Sequence, residues 1–299
     1  MARYIPLILI LVFIMSCASL PEKETVQIVE EQVPVEQKTV EEKKGGIPSK
    51  TEQRFILEEI ALVLKEYSYY SDGSVDTYTI FSYDQNTAQL LMEEVYDANE
   101  RLIEQIEYEY SGDLLLNKKE YDGKGTLRSH RKFSYKDGFV IVNVLYDGRG
   151  IKKNESKYEY DSQGQRVKWS IYDETDTLLA YTSYLYDSGN NIRVEFYSPS
   201  GLLEKYSEVE YLGDSLKIKE SFYTQDNELE KYILYEYRDN KLVSEQYLTA
   251  SDKLIRSVKY ENDDKGNPVK MLYYDSKSDL KEIVERVYLY QTVKRSING

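Results

Sequence analysis

Tyrosine returns through this sequence about every 25 residues, and few folds can satisfy that spacing. Tyr70, Tyr96, Tyr121, Tyr146, Tyr172, Tyr197, Tyr223, Tyr247 and Tyr274 each stand before turn-forming residues. A second series, Tyr83, Tyr110, Tyr135, Tyr160, Tyr186, Tyr211, Tyr237 and Tyr260, runs between them. The pattern covers roughly residues 60–290, so one small unit is copied in tandem. Each unit holds two turns, and the stretches between them are β-branched, aromatic and alternating, which predicts a strand pair. The first series leads into loops such as Asp122–Gly125 and Asp147–Gly150; the second leads into tighter turns such as Lys136–Gly138 and Arg238–Asn240. Gly, Asn and Asp at these places supply positive φ and local side-chain bonds.

Period-two alternation assigns the faces. Val167, Trp169 and Ile171 alternate with Lys168 and Ser170, and Ile192, Val194 and Phe196 with Arg193 and Glu195. In the strands entering the tight turns, Tyr108/Tyr110, Phe133/Tyr135, Tyr158/Tyr160 and Tyr235/Tyr237 share a face, opposite Glu, Lys, His and Ser. The sheet is expected to have one apolar, tyrosine-laddered face and one charged face. About sixteen strands of some seven residues, at about 4.8 Å each, would make a flat sheet about 77 Å wide, beyond what natural sheets reach without curling. The expected fold is all-β: tandem antiparallel hairpins in one large curved, rolled or spiral sheet. Were that sheet open, its edge strands could pair with a partner strand. An outer-membrane barrel would turn the apolar face to lipid, but Lys118, Glu120, Arg131, Lys205, Lys231 and Arg256 fall on that face, and seven residues fall short of the nine to eleven such a strand needs.

The repeated Tyr-Asp pairs, with glycine following in YDGKGTL, YDGRGIK and YDSQGQR, resemble the YD repeats of the Rhs family and the related MORN-variant hairpin repeats. The resemblance implies tandem hairpins on exported proteins, serving as shells or binding surfaces. Units reading YSPSG, YTQDN and YLTAS depart from the pattern.

The amino end reads as an address. Arg3, an apolar run from Ile5 to Met15 and then Ser16 form an export signal too short to span a bilayer comfortably. Ile14-Met15-Ser16-Cys17 resembles the lipobox of bacterial lipoproteins, which implies cleavage before Cys17 and acylation of Cys17. The expected organisation is a signal peptide at 1–16, a lipidated Cys17 with a disordered acidic tether at 17–53, and the hairpin-repeat domain at 54–299. The tether is rich in Glu, Lys, Val, Gln and Pro, lacks aromatic residues, and would reach about 30 to 36 Å. Ala18, rather than Asp, follows the anchor, which leans toward the outer membrane.

Composition closes several routes. With 53 acidic against 39 basic residues the net charge is −14, which argues against nucleic acid. One Cys and one His remove an intrachain disulfide framework and Cys- or His-built metal centres, and no cofactor is implied. The Asp residues of the Tyr-Asp turns could bind calcium, but they suit Asx turns that cap their own backbone. Glu107, Glu109, Glu155, Glu159, Glu208 and Glu210 fall on the charged face, where cross-strand Lys partners account for them. His130 reads as a surface strand residue and Trp169 as core. No catalytic residue, phosphate-cradling loop or nucleophile elbow is found. The expected function is that of a non-catalytic, lipid-anchored envelope protein offering a scaffold or binding surface to protein or glycan partners. A carrier of an apolar ligand inside a rolled sheet is the alternative, and a carbohydrate-active enzyme with two converging carboxyl groups is the third.

Overall fold

A computed structural model of the chain describes residues 54–213 and 215–297; the signal peptide, Cys17 and the tether lie outside the described residues. The first six strands are β1 (Arg54–Tyr70), β2 (Val75–Tyr83), β3 (Leu90–Asp97), β4 (Leu102–Ser111), β5 (Leu114–Asp122) and β6 (Leu127–Lys136). The next six are β7 (Phe139–Asp147), β8 (Lys152–Tyr160), β9 (Arg166–Asp173), β10 (Leu178–Asp187), β11 (Asn190–Tyr197) and β12 (Leu203–Leu212). The last six are β13 (Leu216–Thr224), β14 (Leu229–Arg238), β15 (Lys241–Thr249), β16 (Leu254–Asn262), β17 (Pro268–Asp275) and β18 (Leu280–Ile297). The described residues contain no helix.

Each strand pairs antiparallel with the next, and β18 pairs antiparallel with β1, so the sheet is a closed up-and-down barrel. The structure corrects three expectations. Strands β2 to β17 run eight to ten residues instead of about seven. The sheet is closed rather than open or spiral, and there are eighteen strands among the described residues instead of about sixteen. The two extra strands lie at the ends of the chain, where the tyrosine series gives only one boundary each. Closure also removes the free edges within the barrel, leaving only the outer edges of the part of β1 and β18 that extends beyond their neighbours.

Curvature comes from the hairpins themselves. Every one of the eighteen pairings contains a register shift. Extra residues of this kind bend a strand and raise its local twist, which is what a wide sheet needs in order to close. One repeat is therefore two strands, two turns and two bulges.

Turns after odd-numbered strands lie at one rim, here the distal rim. Turns after even-numbered strands lie at the other, the terminal rim, with the start of β1 and the end of β18. At the distal rim Asp97, Asp122, Asp147, Asp173 and Asp275 each accept backbone N–H bonds from residues two and four further on, at 2.8–3.1 Å. In the departing units the hydroxyls of Ser198, Thr224 and Thr249 accept instead, from Leu202, Glu228 and Lys253. The terminal rim mixes two-residue turns, such as Asp137–Gly138, with Asp-capped loops at Asp84, Asp161 and Asp263. A side chain on Gly123 or Gly148 would run into the carbonyl oxygen of Leu102 or Leu127, so these two positions must be glycine.

The predicted sorting of faces holds in part, and closure says which one is inside: Arg131, Glu220 and Glu245 share the concave face with the aromatics, and Leu185, Leu234 and Val287 are exposed on the convex one. Along β6 the residues Ser129, Arg131, Phe133 and Tyr135 are half-buried, while Arg128, Lys132, Ser134 and Lys136 are exposed. β4, β8, β10, β14 and β16 alternate in the same phase over most of their length. The face of Phe133 and Trp169 is thus the concave one. The charged face is convex and carries the ion pairs Glu109–Lys119, Glu155–Lys157, Glu159–Lys168, Glu208–Arg193 and Glu210–Lys219. Tyrosines are not confined to the inner ladder. Tyr78–Tyr96, Tyr181–Tyr197 and Tyr206–Tyr223 stack across strands on the outer wall, with ring centroids 5.0, 4.7 and 4.9 Å apart.

β1 and β18 run on past their neighbours as a two-stranded ribbon above the terminal rim. It is tied down on both flanks. Gln291 Nε2 donates to the Gln85 carbonyl at 2.5 Å, Lys265 pairs with Glu59, and the Tyr290 hydroxyl donates to Asp263. Leu62 and Val293 on the ribbon are buried.

Candidate functional site

The inner wall is built in three levels, each from one position of the repeat. Nearest the terminal rim is a girdle of tyrosines whose hydroxyls are already engaged. Tyr83, Tyr135, Tyr160, Tyr186, Tyr211, Tyr237 and Tyr288 each donate to the backbone carbonyl twenty residues earlier, at 2.8–3.1 Å. Asn262 does the same toward Leu242 through its amide. The accepting carbonyls, including those of Leu115, Val140 and Lys217, stand immediately before a bulge, where the ladder is interrupted and an acceptor is freed.

The middle level is the most buried. Ile106, Ile233, Val258, Met271 and Val284 are its apolar members, and Asn143, Ser156, Thr182, Ser207 and Glu220 its polar ones. Val258, Met271 and Val284 cluster with Tyr247, Tyr260 and Tyr273. The polar groups here are satisfied within the wall. Arg131 donates to Asn143 at 2.6 Å, and Asn143 donates to the Tyr158 hydroxyl at 2.6 Å. Lys217 donates to Glu220 at 2.5 Å. Glu245 accepts from the hydroxyls of Tyr247 and Tyr260 at 2.8 and 2.9 Å. Burial, and then the charge of Glu245, push the phenols of Tyr247 and Tyr260 far above their ordinary range; burial, Glu220 and Glu245 do so for Tyr235. Trp169 belongs to this level but lines the lumen instead of sealing a core; it is only half-buried, and its indole N–H has no partner in the wall.

Toward the distal rim the inner wall turns ionic. Lys205, Lys231 and Arg256 stand over the rings of Phe196, Phe222 and Tyr247, at 5.2, 5.0 and 3.9 Å from the centroids. Sequence alternation placed Lys205, Lys231 and Arg256 on this face but gave no sign that they would be neighbours around a mouth.

A circular barrel of eighteen strands at the usual tilt is about 36 Å across between backbones, and barrels of about 16 to 18 strands are too wide for side chains to fill. The inward aromatics agree with that size, since Phe81, Phe133, Trp169, Phe196 and Phe222 all remain partly exposed. The connecting turns at both rims are short. The inner wall thus carries apolar and aromatic side chains along most of its height, and the outer wall carries the ion pairs.

The remaining sequence candidates lie elsewhere. His130 is on the outer wall, stacked on Tyr146 at 4.7 Å, and burial followed by Lys132 and Lys119 lowers its pKa. Glu107 accepts from Tyr121 on the same wall, and the other five outer glutamates are in the ion pairs above. The Tyr-Asp carboxylates are turn caps, and among the described residues no group of three His, Cys, Asp or Glu side chains could hold a metal. Cys17 lies outside the described residues. No described helix is long and apolar enough to cross a membrane.

Compared with known protein families, the chain matches none, and no curated protein matches it. Among solved structures it is similar to a porin-like protein from Bacteroides uniformis, at 11% identity over 76% of this chain and 98% of that one, with a TM-score of 0.42. It is also similar to the chain in the TcdB2-TccC3-TEV crystal structure, at 11% identity and a TM-score of 0.33, covering 72% of this chain and spanning 15% of the other. A LolA superfamily protein from Nitrosomonas europaea shares 11% identity over 81% of this chain and 88% of its own, with a TM-score of 0.20. Likeness this distant assigns no role to any residue, and the barrel's own geometry has to supply one.

Proposed function

We propose that this chain is a non-enzymatic binding protein of the cell envelope, held to a membrane, the outer one in a two-membrane cell, through acylated Cys17, and that its barrel takes a guest into the lumen. The observation that carries this reading is the direction of the apolar face. It points inward, and Phe133, Trp169, Phe196 and Phe222 remain partly exposed there, so a guest would remove from water what the wall leaves exposed. The ion-paired outer wall supports a barrel surrounded by water, since a membrane-spanning one would turn its apolar band outward. The inner carboxylates support binding over catalysis: Glu220 is held by Lys217, and Glu245 by Tyr247 and Tyr260.

The test is recovery of the guest. Protein purified from its own membranes, extracted with organic solvent and analysed by mass spectrometry should yield a lipid-like molecule in a fixed ratio to the chain, and a diacylglyceryl group on Cys17. Protein that arrives empty would overturn the lumen reading, and an unmodified Cys17 the anchored one. The stacked outer pairs Tyr78–Tyr96 and Tyr181–Tyr197 favour a second reading, in which glycan or peptide partners bind the outside. Such binding would survive filling of the lumen.

A further inference from the structure

Lys205, Lys231 and Arg256 occupy one repeat position in three consecutive units, on β12, β14 and β16. Their registers are the same: Lys205 is opposite Phe196, Lys231 opposite Phe222, and Arg256 opposite Tyr247. Every other strand intervenes, so neighbouring cations are about 10 Å apart around the wall. The equivalent position elsewhere is Glu104, Ser129, Asn154, Ala180 or Glu282. Cations are thus confined to one arc of the distal mouth, and all three are exposed there.

In a chain of net charge −14, such cations would be expected to find carboxylates. These do not: among the described residues none of the three makes an ion pair, although Lys119, Lys168, Lys219 and Lys270 all do on the outer wall. Aromatic faces hold the three cations in place without neutralising them. The next inward positions down the same strands are Ser207, Ile233 and Val258, all buried, followed by Val209, Tyr235 and Tyr260. Of the inward carboxylates nearby, Asp275 lies opposite Arg256 but is held by its own turn and Lys281, Glu282 one unit further on accepts from Ser68, and Glu220 and Glu245 lie deeper, engaged by Lys217 and by two phenols. Strands of about nine residues at the usual tilt make a wall about 23 Å tall, more than the roughly 15 Å occupied by the acyl chains of one bilayer leaflet. The chain enters and leaves the barrel at the opposite rim.

We propose, resting on the lumen reading above, that this arc is the headgroup site for an anionic amphiphile, whose hydrocarbon lies against the inner wall while its carboxylate or phosphate meets Lys205, Lys231 and Arg256. The anion supplies the counter-charge the wall lacks, and the hydrocarbon covers the half-exposed aromatics.

Trp169, the single tryptophan, faces the lumen and serves as the reporter. The full-length protein, delipidated, is titrated with bromine-labelled hexadecanoate, hexadecanol and hexadecyltrimethylammonium below their aggregation concentrations, following quenching of Trp169. The expected order is hexadecanoate tightest, hexadecanol weaker and the cation weakest. In K205Q/K231Q/R256Q hexadecanoate should bind about tenfold more weakly or worse, while hexadecanol is unchanged, which also shows that the variant is folded. Outer-wall K119Q/K168Q/K219Q should leave both affinities alone. Equal binding of hexadecanoate and hexadecanol by the unaltered protein, or an unchanged preference in the triple inner variant, would overturn the headgroup site and leave the lumen reading standing. Absence of quenching by all three probes would overturn the lumen reading itself.

Discussion

The inner tyrosines near the terminal rim act as braces before they act as a lining. Each hydroxyl closes a carbonyl that a bulge has released from the ladder, in a place where water is partly excluded. Tyr160→Phe removes the donor to the Val140 carbonyl and nothing else. It should cost about 0.5 to 1.5 kcal/mol, read as a lower midpoint in urea with an unchanged slope. An unchanged midpoint would mean that the carbonyl finds water and that the girdle is only a lining. The same residues set the alkaline limit of the fold. Burial is the main cause raising the phenols of Tyr83, Tyr135, Tyr160, Tyr237 and Tyr288 above the ordinary 10.0. A raised folded pKa means that the stabilisation is complete below 10 and is lost as pH climbs beyond it, because the unfolded chain releases its protons first. Ionisation of these inner phenols, followed by tyrosinate absorbance, should therefore come above pH 10 and coincide with loss of the β-sheet circular dichroism. Their ionisation with the sheet intact would contradict this.

At the level of the hairpin, the Asp before each distal turn is a cap with two backbone donors. Hydrogen bonds from Ile151 and Arg149, with help from Lys153, hold the Asp147 carboxyl down at about 2, and similar bonds lower Asp122 and Asp173. A lowered folded pKa means that the contribution is complete above the unfolded value near 3.8 and disappears as pH falls through the folded one. The thermal midpoint should be flat from neutrality to about pH 5 and fall between about pH 4 and 2. Asp147→Ala should lower it at pH 7 and shrink that acid-side loss; parallel loss in both proteins would show that the cap contributes nothing. These turns are also where the sequence speaks most plainly, because YDGKG and YDGRG name the acceptor and the left-handed residue together. YSPSG, YTQDN and YLTAS look like departures only if Asp itself is the signature. The turn needs a short side-chain oxygen at that position and a residue that tolerates positive φ three places later, and Ser198/Gly201, Thr224/Asn227 and Thr249/Asp252 supply both. The mouth cations are not foreseeable in that way. Alternation puts Lys205 on the less polar face, but a single unit does not contain its neighbours Lys231 and Arg256, and only closure arranges the three around a mouth.

For the molecule as a whole, closure is what the repeat could not announce, since each hairpin is equally compatible with an open sheet. It depends on β1 and β18, the first and last strands of the meander, and on parity. An up-and-down meander returns its last strand antiparallel to its first only when the number of strands is even, and inner and outer faces match across the seam only if whole units separate them. That makes a sharp prediction about length. Deleting residues 148–173 removes β8 and β9 together and joins Asp147 directly to the turn at 174–177, so the seam between β1 and β18 keeps its direction and its faces. The shortened chain should fold as a narrower monomeric barrel, with a cooperative thermal transition and a smaller radius in X-ray scattering. Deleting β8 alone, residues 152–160, leaves seventeen strands, and β18 must then either meet β1 parallel or leave both unpaired. That chain should associate through its edges, with its apolar face exposed, and elute as large species. If the chain lacking only β8 stayed monomeric with a sharp transition, the seam would not be what holds the molecule closed, and the lumen on which the binding reading depends would lose its wall.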